Sequence, residues 1–266
     1  MNVFRHELKM MRTGMLVWVL ALVGIVLMYI AIYPVFSGDA EATKKIFENF
    51  PPAFKTAFSI DVDTLLSFLG FFAFTFTNLT LFAGIHAMHT GVSVLSREQR
   101  SRTTDFLLTK PRSRASLFAQ KYLAGMLVIV TTWICVTVAA FGFAKAFGAG
   151  GFDLSRFGLL MLSLLIVQLW FFACGAFTAQ VLRRVKSTIP ITLGVTFGFF
   201  MIGMLGAILA DEKFRYVSPF KFFNYVDIAS GKGYELVYVA IAAVTFVAML
   251  VASYVIYTKH DVKAAA

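Results

Sequence analysis

Charged residues are scarce in this chain, and that scarcity excludes a soluble domain. Asp, Glu, Lys and Arg make up only 14% of its 266 residues, whereas hydrophobic residues make up 59%. A soluble domain carries about 25% charged and about 45 to 50% apolar residues. No stretch of ordinary composition remains that would fold as a separate soluble domain. The composition therefore predicts a polytopic membrane protein that forms a single transmembrane domain over residues 1–266.

The long apolar segments also lack ionisable groups at their centres. Secondary carriers normally place such groups within the membrane, so their absence argues against ion or proton coupling as the energy source. A nucleotide-binding loop is missing too. Gly231-Lys232-Gly233 has Val226 where the first Gly of that motif would stand, and no Ser or Thr follows the Lys. Energy must therefore come from another polypeptide.

Cysteine is nearly absent, and metal-binding patterns are weak. Cys135 and Cys174 both fall in apolar segments, where small buried side chains are the expected interpretation. His86 and His89 lie three residues apart and share a helical face, but no carboxylate or cysteine is near them in sequence. We predict no metal site. A membrane-embedded metalloenzyme stays open as the less favoured alternative.

Continuous apolar runs, without the alternation of membrane β-strands, predict an all-α fold. A helical span takes about 20 apolar residues. Six such segments can be drawn, at residues 15–36, 65–95, 115–147, 157–182, 189–210 and 234–257. The first is too long for a signal peptide and lacks a small-residue cleavage site after its apolar run.

Residues 1–13 are expected to form a separate amphipathic helix. Three apolar side chains share one helical face and three cations share another, at spacings of three and four residues. The apolar set is Phe4, Leu8 and Met11, and the cationic set is Arg5, Lys9 and Arg12. This pattern is typical of a helix that lies in the headgroup plane before the chain enters the bilayer.

Orientation follows from the basic residues. Of the 24 Lys and Arg residues, 15 lie in four segments that fall on one side of the membrane. These segments are the N-terminus, the polar island between the second and third spans (residues 96–121), the turn at 183–186 and the C-terminus. By the positive-inside rule this side is cytoplasmic, which places both termini on the cytoplasmic side of the cell membrane. Anionic lipid is a further partner of that surface, whereas nucleic acid is not expected.

The polar island between the second and third spans predicts a short helix that docks on a partner. Thr103 or Thr104 caps it, Asp105 lies in its first turn, Lys110 suits its last turn and Pro111 ends it. Two turns are not stable alone in water, so the helix needs a surface, and it offers Phe106, Leu107 and Leu108. Ser113 then caps the next helix. A loop whose charges only solvate it is the alternative.

The island resembles the first cytoplasmic loop of ABC-2 type permeases, the membrane subunits of ATP-binding-cassette transporters. The residues that carry the resemblance are Glu98, Thr103, Leu107-Leu108-Thr109, Pro111, Ser113-Arg114 and the basic residue at 121. Arg102 and Arg112 depart from the usual Gly and aliphatic residue. The resemblance implies that residues 96–114 couple the chain to a separate cytoplasmic ATPase, which would hold ATP and Mg²⁺, with no cofactor in this chain. Glu98 is expected to pair with basic groups on that ATPase or with Arg100 or Arg102.

The last outer loop adds to this resemblance. The sequence of residues 216–224 is Tyr-Val-Ser-Pro-Phe-Lys-Phe-Phe-Asn. It is similar to a family segment in which short re-entrant helices lie near the outer gate. Residues 211–233 are therefore expected to form an outer re-entrant or interfacial segment. The chain end from Tyr257 to Asp261 is similar to the basic-Asp ending of many members.

Small residues in the fifth span predict helix packing. Gly194 and Gly198 lie four apart, and Gly203 follows. Spacing alone does not decide between packing within the chain and packing against a second copy, but the resemblance favours a dimer contact through spans 1 and 5, in a homodimer or related heterodimer.

Asn78 and Gln168 are candidate pathway-lining residues. The resemblance implies a non-catalytic permease subunit of an exporter. A non-transporting sensor or assembly partner of an ATPase is the main alternative.

Overall fold

Six long helices and one short helix build the described part of the chain. A computed structural model describes residues 3–38, 64–101, 113–147, 151–182 and 185–259, with residues 41, 44–46, 49–51 and 55 of the first loop; the side chains of 98–101 are not described. The helices are α1 (Val3–Gly38), α2 (Phe68–Ser101), α3 (Arg114–Ala146), α4 (Leu154–Val181), α5 (Thr188–Leu209), α6 (Tyr225–Ser230) and α7 (Leu236–Lys259). Three short 3₁₀ helices join them, at Thr64–Leu66, Glu212–Tyr216 and Pro219–Lys221.

The six spans expected from sequence are confirmed. The six long helices are each long and apolar enough to cross a membrane. The described residues contain no strand, so the all-α prediction is also confirmed. All six long helices hold exposed large apolar side chains, as surfaces against lipid tails require.

The start of the chain differs from the expectation. The sequence predicted an interfacial helix over 1–13 that is separate from the first span, but one helix of 36 residues runs through both. No proline interrupts it before Pro34, and Gly14 alone does not break it. Burial of Glu7 and Met11 holds the first turns against the bundle. Helix α1 spans roughly 54 Å at 1.5 Å per residue, so its ends extend beyond a hydrocarbon core of about 30 Å.

The predicted two faces of residues 1–13 are present on this helix. Met11 is buried and Phe4 and Leu8 pack on the core, whereas Arg5, Lys9 and Arg12 are exposed. The apolar face of α1 lies mainly against α3 and, over a shorter length, against α2. Amphipathic periodicity therefore predicted the burial correctly, although it did not predict one continuous helix.

The centre of the bundle is the crossing of α2 and α4. A Cβ added at Gly91 would lie 2.2 Å from the Phe172 carbonyl oxygen, and one added at Gly175 would lie 2.4 Å from that of Met88. Only glycine permits this backbone approach. Helix α7 packs on α4, and α5 packs on α2. The two central helices carry the most buried spans, so they form the core on which the others are arranged.

Candidate functional site

One carboxylate in α1 faces the interior at the N-terminal end of the bundle. Glu7 is the only acidic residue in α1, and its side chain is 3% exposed. In sequence it follows Phe4 and precedes Leu8 and Met11, and it lies with them on the face of α1 that packs against α2 and α3. An acid at this position must find cations, because burying an isolated carboxylate is costly.

Two cations from different helices meet this carboxylate. Arg97 Nη1 at the end of α2 lies 2.5 Å from Glu7 Oε2, and Lys121 Nζ near the start of α3 lies 3.1 Å from Oε1. The Lys121 ammonium also donates to the carbonyl oxygen of Val94 at 3.3 Å, and its side chain is 1% exposed. We call Glu7, Arg97 and Lys121 the Glu7 cluster. One carboxylate therefore joins the starts of α1 and α3 to the end of α2.

The Glu7 cluster is a strong constraint on these helix ends. Charge-assisted hydrogen bonds are about twice as strong as neutral ones. Separating the helices would pull the buried Glu7 carboxylate away from its two cations, which costs several kcal/mol. The three helix ends are thus expected to move together.

The loop that the Glu7 cluster brackets lies outside the described residues. Residues 102–112 are not described, and Glu98 is described only as part of the α2 backbone. The predicted coupling residues Glu98, Thr103, Thr104, Asp105, Phe106, Leu107, Leu108 and Pro111 therefore stay predictions. The end of the loop is described: Ser113 Oγ accepts a hydrogen bond from the Ser116 N–H at 3.3 Å, so the predicted cap of α3 is confirmed.

The two predicted pathway residues differ in burial. Gln168 in α4 is fully buried, and neither of its amide atoms has a hydrogen-bond partner in the described part of the chain. Asn78 in α2 is half-buried. The role of both residues as pathway lining stays a prediction.

The histidines of α2 pack inside the bundle. His86 is 1% exposed, and its ring centroid lies 5.4 Å from that of Trp18 in α1. His89 lies within hydrogen-bond distance of Ser93, at 3.5 Å. Over the residues described here, no group of three His, Cys, Asp or Glu side chains is placed to hold a metal. The metalloenzyme alternative therefore gains no support.

The three glycines assigned to dimer packing divide into two groups. Gly194 and Gly198 are exposed, and a Cβ at either would have no neighbour within 4 Å. Gly203 is buried instead, and its added Cβ would lie 2.7 Å from Ser218 Oγ and 3.1 Å from Lys221 Cγ. The structure thus corrects the assignment of Gly203, which packs within the chain because the segment at 216–224 folds back on α5.

The segment at 216–224 lies at the end of the bundle opposite the Glu7 cluster. Ser218 Oγ donates to the Phe199 carbonyl oxygen of α5 at 2.8 Å. The Arg215 guanidinium binds Glu235 Oε1 at 2.6 Å through Nη2, and it lies 4.1 Å from the Tyr238 ring centroid. Its Nε also donates to the Lys221 carbonyl oxygen at 3.3 Å. Arg215 therefore joins the two 3₁₀ helices at 212–216 and 219–221 to the start of α7.

A cavity lies between this segment and helices α2 and α5. Its volume is about 350 Å³, and its lining includes Thr77, Gly206, Phe214, Lys221 and Tyr225. Burial lowers the pKa of Lys221, and the nearby Arg215 cation lowers it further. Burial also raises the pKa of the Tyr225 hydroxyl. The cavity lies at the end of the bundle opposite the Glu7 cluster.

Sequence reasoning missed the two ion-pair centres. The signal for the first was a lone acid between apolar residues of α1 and a lone lysine about two turns into the third span. Arg215 and Glu235 carried no comparable signal, because they lie in an irregular segment where spacing does not predict proximity. In both cases the pairing depends on how the helices pack.

Comparison with known proteins agrees with this architecture. A family model described as "ABC-2 family transporter protein" matches residues 1–262. No curated protein matches the chain significantly. Six apolar helices and a family match over nearly the whole length leave one conclusion: the chain is a multi-pass membrane protein that belongs to the ABC-2 transporter family, the permease subunits of ABC transporters.

Proposed function

We propose that the chain is the permease subunit of an ABC exporter, driven by a separate cytoplasmic ATPase that binds the loop at 96–114. ATP and Mg²⁺ bind to that ATPase, and this chain performs no hydrolysis. Two permease copies form the translocation pathway in the cell membrane. Both termini lie in the cytoplasm, on the side that the basic residues mark.

The Glu7 cluster is the observation that carries this proposal. Arg97 lies at one end of the loop and Lys121 at the other, and both hold the same carboxylate of α1. A push on the loop by an ATPase is therefore transmitted to three spans at once. Because packed helices move as rigid bodies, this arrangement suits a switch between inward-facing and outward-facing states.

The exposed glycine stripe of α5 supports a dimer. A Cβ added at Gly194 or Gly198 would have no neighbour within 4 Å among the described residues, and both glycines lie among exposed apolar side chains such as Phe197. Small residues on a membrane helix allow a second helix to approach closely. We assign this face of α5 to the contact between copies.

Substitution of the loop tests the coupling. The Leu107→Asp/Leu108→Asp variant should no longer co-purify with an ATP-hydrolysing subunit from native membranes, whereas the matched Leu107→Met/Leu108→Met variant should retain it. Met conserves the volume and apolar character, so only the charge differs between the two. Retention of the ATPase by the Asp variant would overturn the coupling role.

Transport itself separates a permease from a sensor. In vesicles that contain both subunits, an exporter accumulates substrate with ATP hydrolysis, and the Asp variant abolishes both together. A non-transporting partner stimulates hydrolysis without moving any solute. Uptake by the chain alone would contradict the proposed energy source.

A further inference from the structure

The exposed surface of the first turns of α1 carries three cations on one face. Arg5, Lys9 and Arg12 are exposed at spacings of four and three residues, so they form one stripe along the helix. We call these three residues the basic stripe. In the described part of the chain no carboxylate pairs with any of them, because Glu7, the only acid of α1, is turned inward.

The basic stripe continues without a break into an apolar stripe. Leu16 and Leu20 follow Arg12 on the same helical face and are 56% and 71% exposed. An exposed apolar face this long on a membrane helix lies against lipid tails or another span. The boundary between water and hydrocarbon therefore falls between Arg12 and Leu16.

The register places Arg12 at the level of the lipid headgroups, with Lys9 and Arg5 in the turns just outside that layer. At 1.5 Å per residue, Arg12 and Lys9 lie about 6 and about 10 Å from Leu16 along the helix axis. The headgroup layer on each side of the bilayer is roughly 5 to 8 Å thick. Long basic side chains also reach toward that layer from the adjacent turn. Arg5 lies one turn further out and meets the same surface charge.

From this register and charge we infer that the basic stripe is a binding site for the phosphate groups of anionic phospholipids. Lipid is favoured over an acidic protein surface, because the cations continue directly from the lipid-exposed stripe of the same helix. The site also lies beside the Glu7 cluster, on the opposite face of the same turns. A bound lipid would thus hold α1 where it meets the helices that bracket the loop. This inference does not depend on the ATPase partnership.

Native mass spectrometry of the purified full-length chain tests the site. Phosphatidylglycerol and phosphatidylcholine are added in turn, and bound lipids are counted. The wild-type chain should prefer phosphatidylglycerol. The Arg5→Gln/Lys9→Gln/Arg12→Gln variant should lose affinity for it on the order of 100-fold, since each cation near an anionic surface contributes about fivefold. A wild-type chain without this preference overturns the inference.

Matched variants separate the site from net charge. Lys145→Gln/Lys213→Gln/Lys232→Gln removes three exposed cations from the opposite end of the bundle, so it should leave phosphatidylglycerol binding nearly unchanged. Arg5→Lys/Arg12→Lys keeps the charge and should retain the site. If the basic-stripe variant keeps its phosphatidylglycerol but loses an ATPase or a second copy, the stripe is a protein contact and the inference fails.

Discussion

The carboxylate of Glu7 lies 3.1 Å from the ammonium of Lys121, although 114 residues separate them in sequence. Both side chains are almost fully buried, at 3% and 1% exposure. An ion pair this dry holds its two helices in one register, because neither charge can be released into water without moving a helix. The pair thus makes the start of α1 part of the unit that flanks the coupling loop.

Glu7→Gln should destabilise the protein by about 3–5 kcal/mol, because it removes the buried carboxylate that both Lys121 and Arg97 contact. The free energy of unfolding in detergent micelles measures this loss. The matched control is Glu212→Gln, which removes an exposed carboxylate at the opposite end and should change stability by about 0.5 kcal/mol or less. Equal effects of the two variants would contradict the structure.

A double substitution separates stability from coupling. Glu7→Gln/Lys121→Met removes both buried charges and should recover most of the lost stability, since apolar replacement of a buried pair is often neutral. Arg97, whose side chain is 24% exposed, then turns to water. If the Glu7 cluster transmits motion, this stable variant still transports poorly with its ATPase. Full transport by the double variant would leave the cluster a purely structural role.

The sequence predicted the six spans because bilayer thickness imposes a length and an apolar composition on each one. It also predicted that Arg5, Lys9 and Arg12 share an exposed face, because helical periodicity is a local property. It did not predict the pairing of Glu7 with Lys121, which depends on how α1 packs against α3. Nor did the glycine spacing of α5 separate Gly203 from Gly198, since the difference depends on where residues 216–224 fold back.

Gly91→Ala should destabilise the crossing of α2 and α4 by about 1–3 kcal/mol, because the new methyl group meets the Phe172 carbonyl oxygen at 2.2 Å. Backbone cannot move aside as a side chain can. Gly142→Ala in α3 is the control, since its added Cβ has no neighbour within 4 Å. That variant should be unchanged or stabilised by up to about 1 kcal/mol through helix propensity. Thermal unfolding of both variants checks the difference.

Lys221 should make stability depend on pH. Its pKa in the folded chain is lowered from the usual 10.5, first by burial and then by Arg215. Between the lowered pKa and 10.5 the unfolded chain binds more protons, so the free energy of unfolding rises with pH across that window. Lys221→Met removes this contribution, so the stability of wild type relative to the variant should increase from pH 7 to about 10.

Lys232 provides the control for that measurement. The hydrogen bond from Lys232 to Asp227 raises the pKa of Lys232, and the negative charge of Asp227 raises it further. Below 10.5 both the folded and the unfolded chain therefore keep this lysine protonated, and the effect of Lys232→Met should not vary with pH in that window. A pH-independent difference for Lys221→Met as well would mean that the Lys221 ammonium is solvated in the folded chain.

The exposed glycines of α5 test the dimer. An added Cβ at Gly198 has no described neighbour within 4 Å, so Gly198→Ile should change the stability of one subunit little. If α5 packs against a second copy, the same side chain separates the helices and weakens dimerisation by about tenfold or more, equivalent to about 1.4 kcal/mol. Gly158→Ile is the matched control, because Gly158 in α4 is also exposed and without neighbours. Single-molecule subunit counting in liposomes measures both. Weakening by Gly158→Ile alone would move the contact from α5 to α4, and no effect of either variant would exclude both faces.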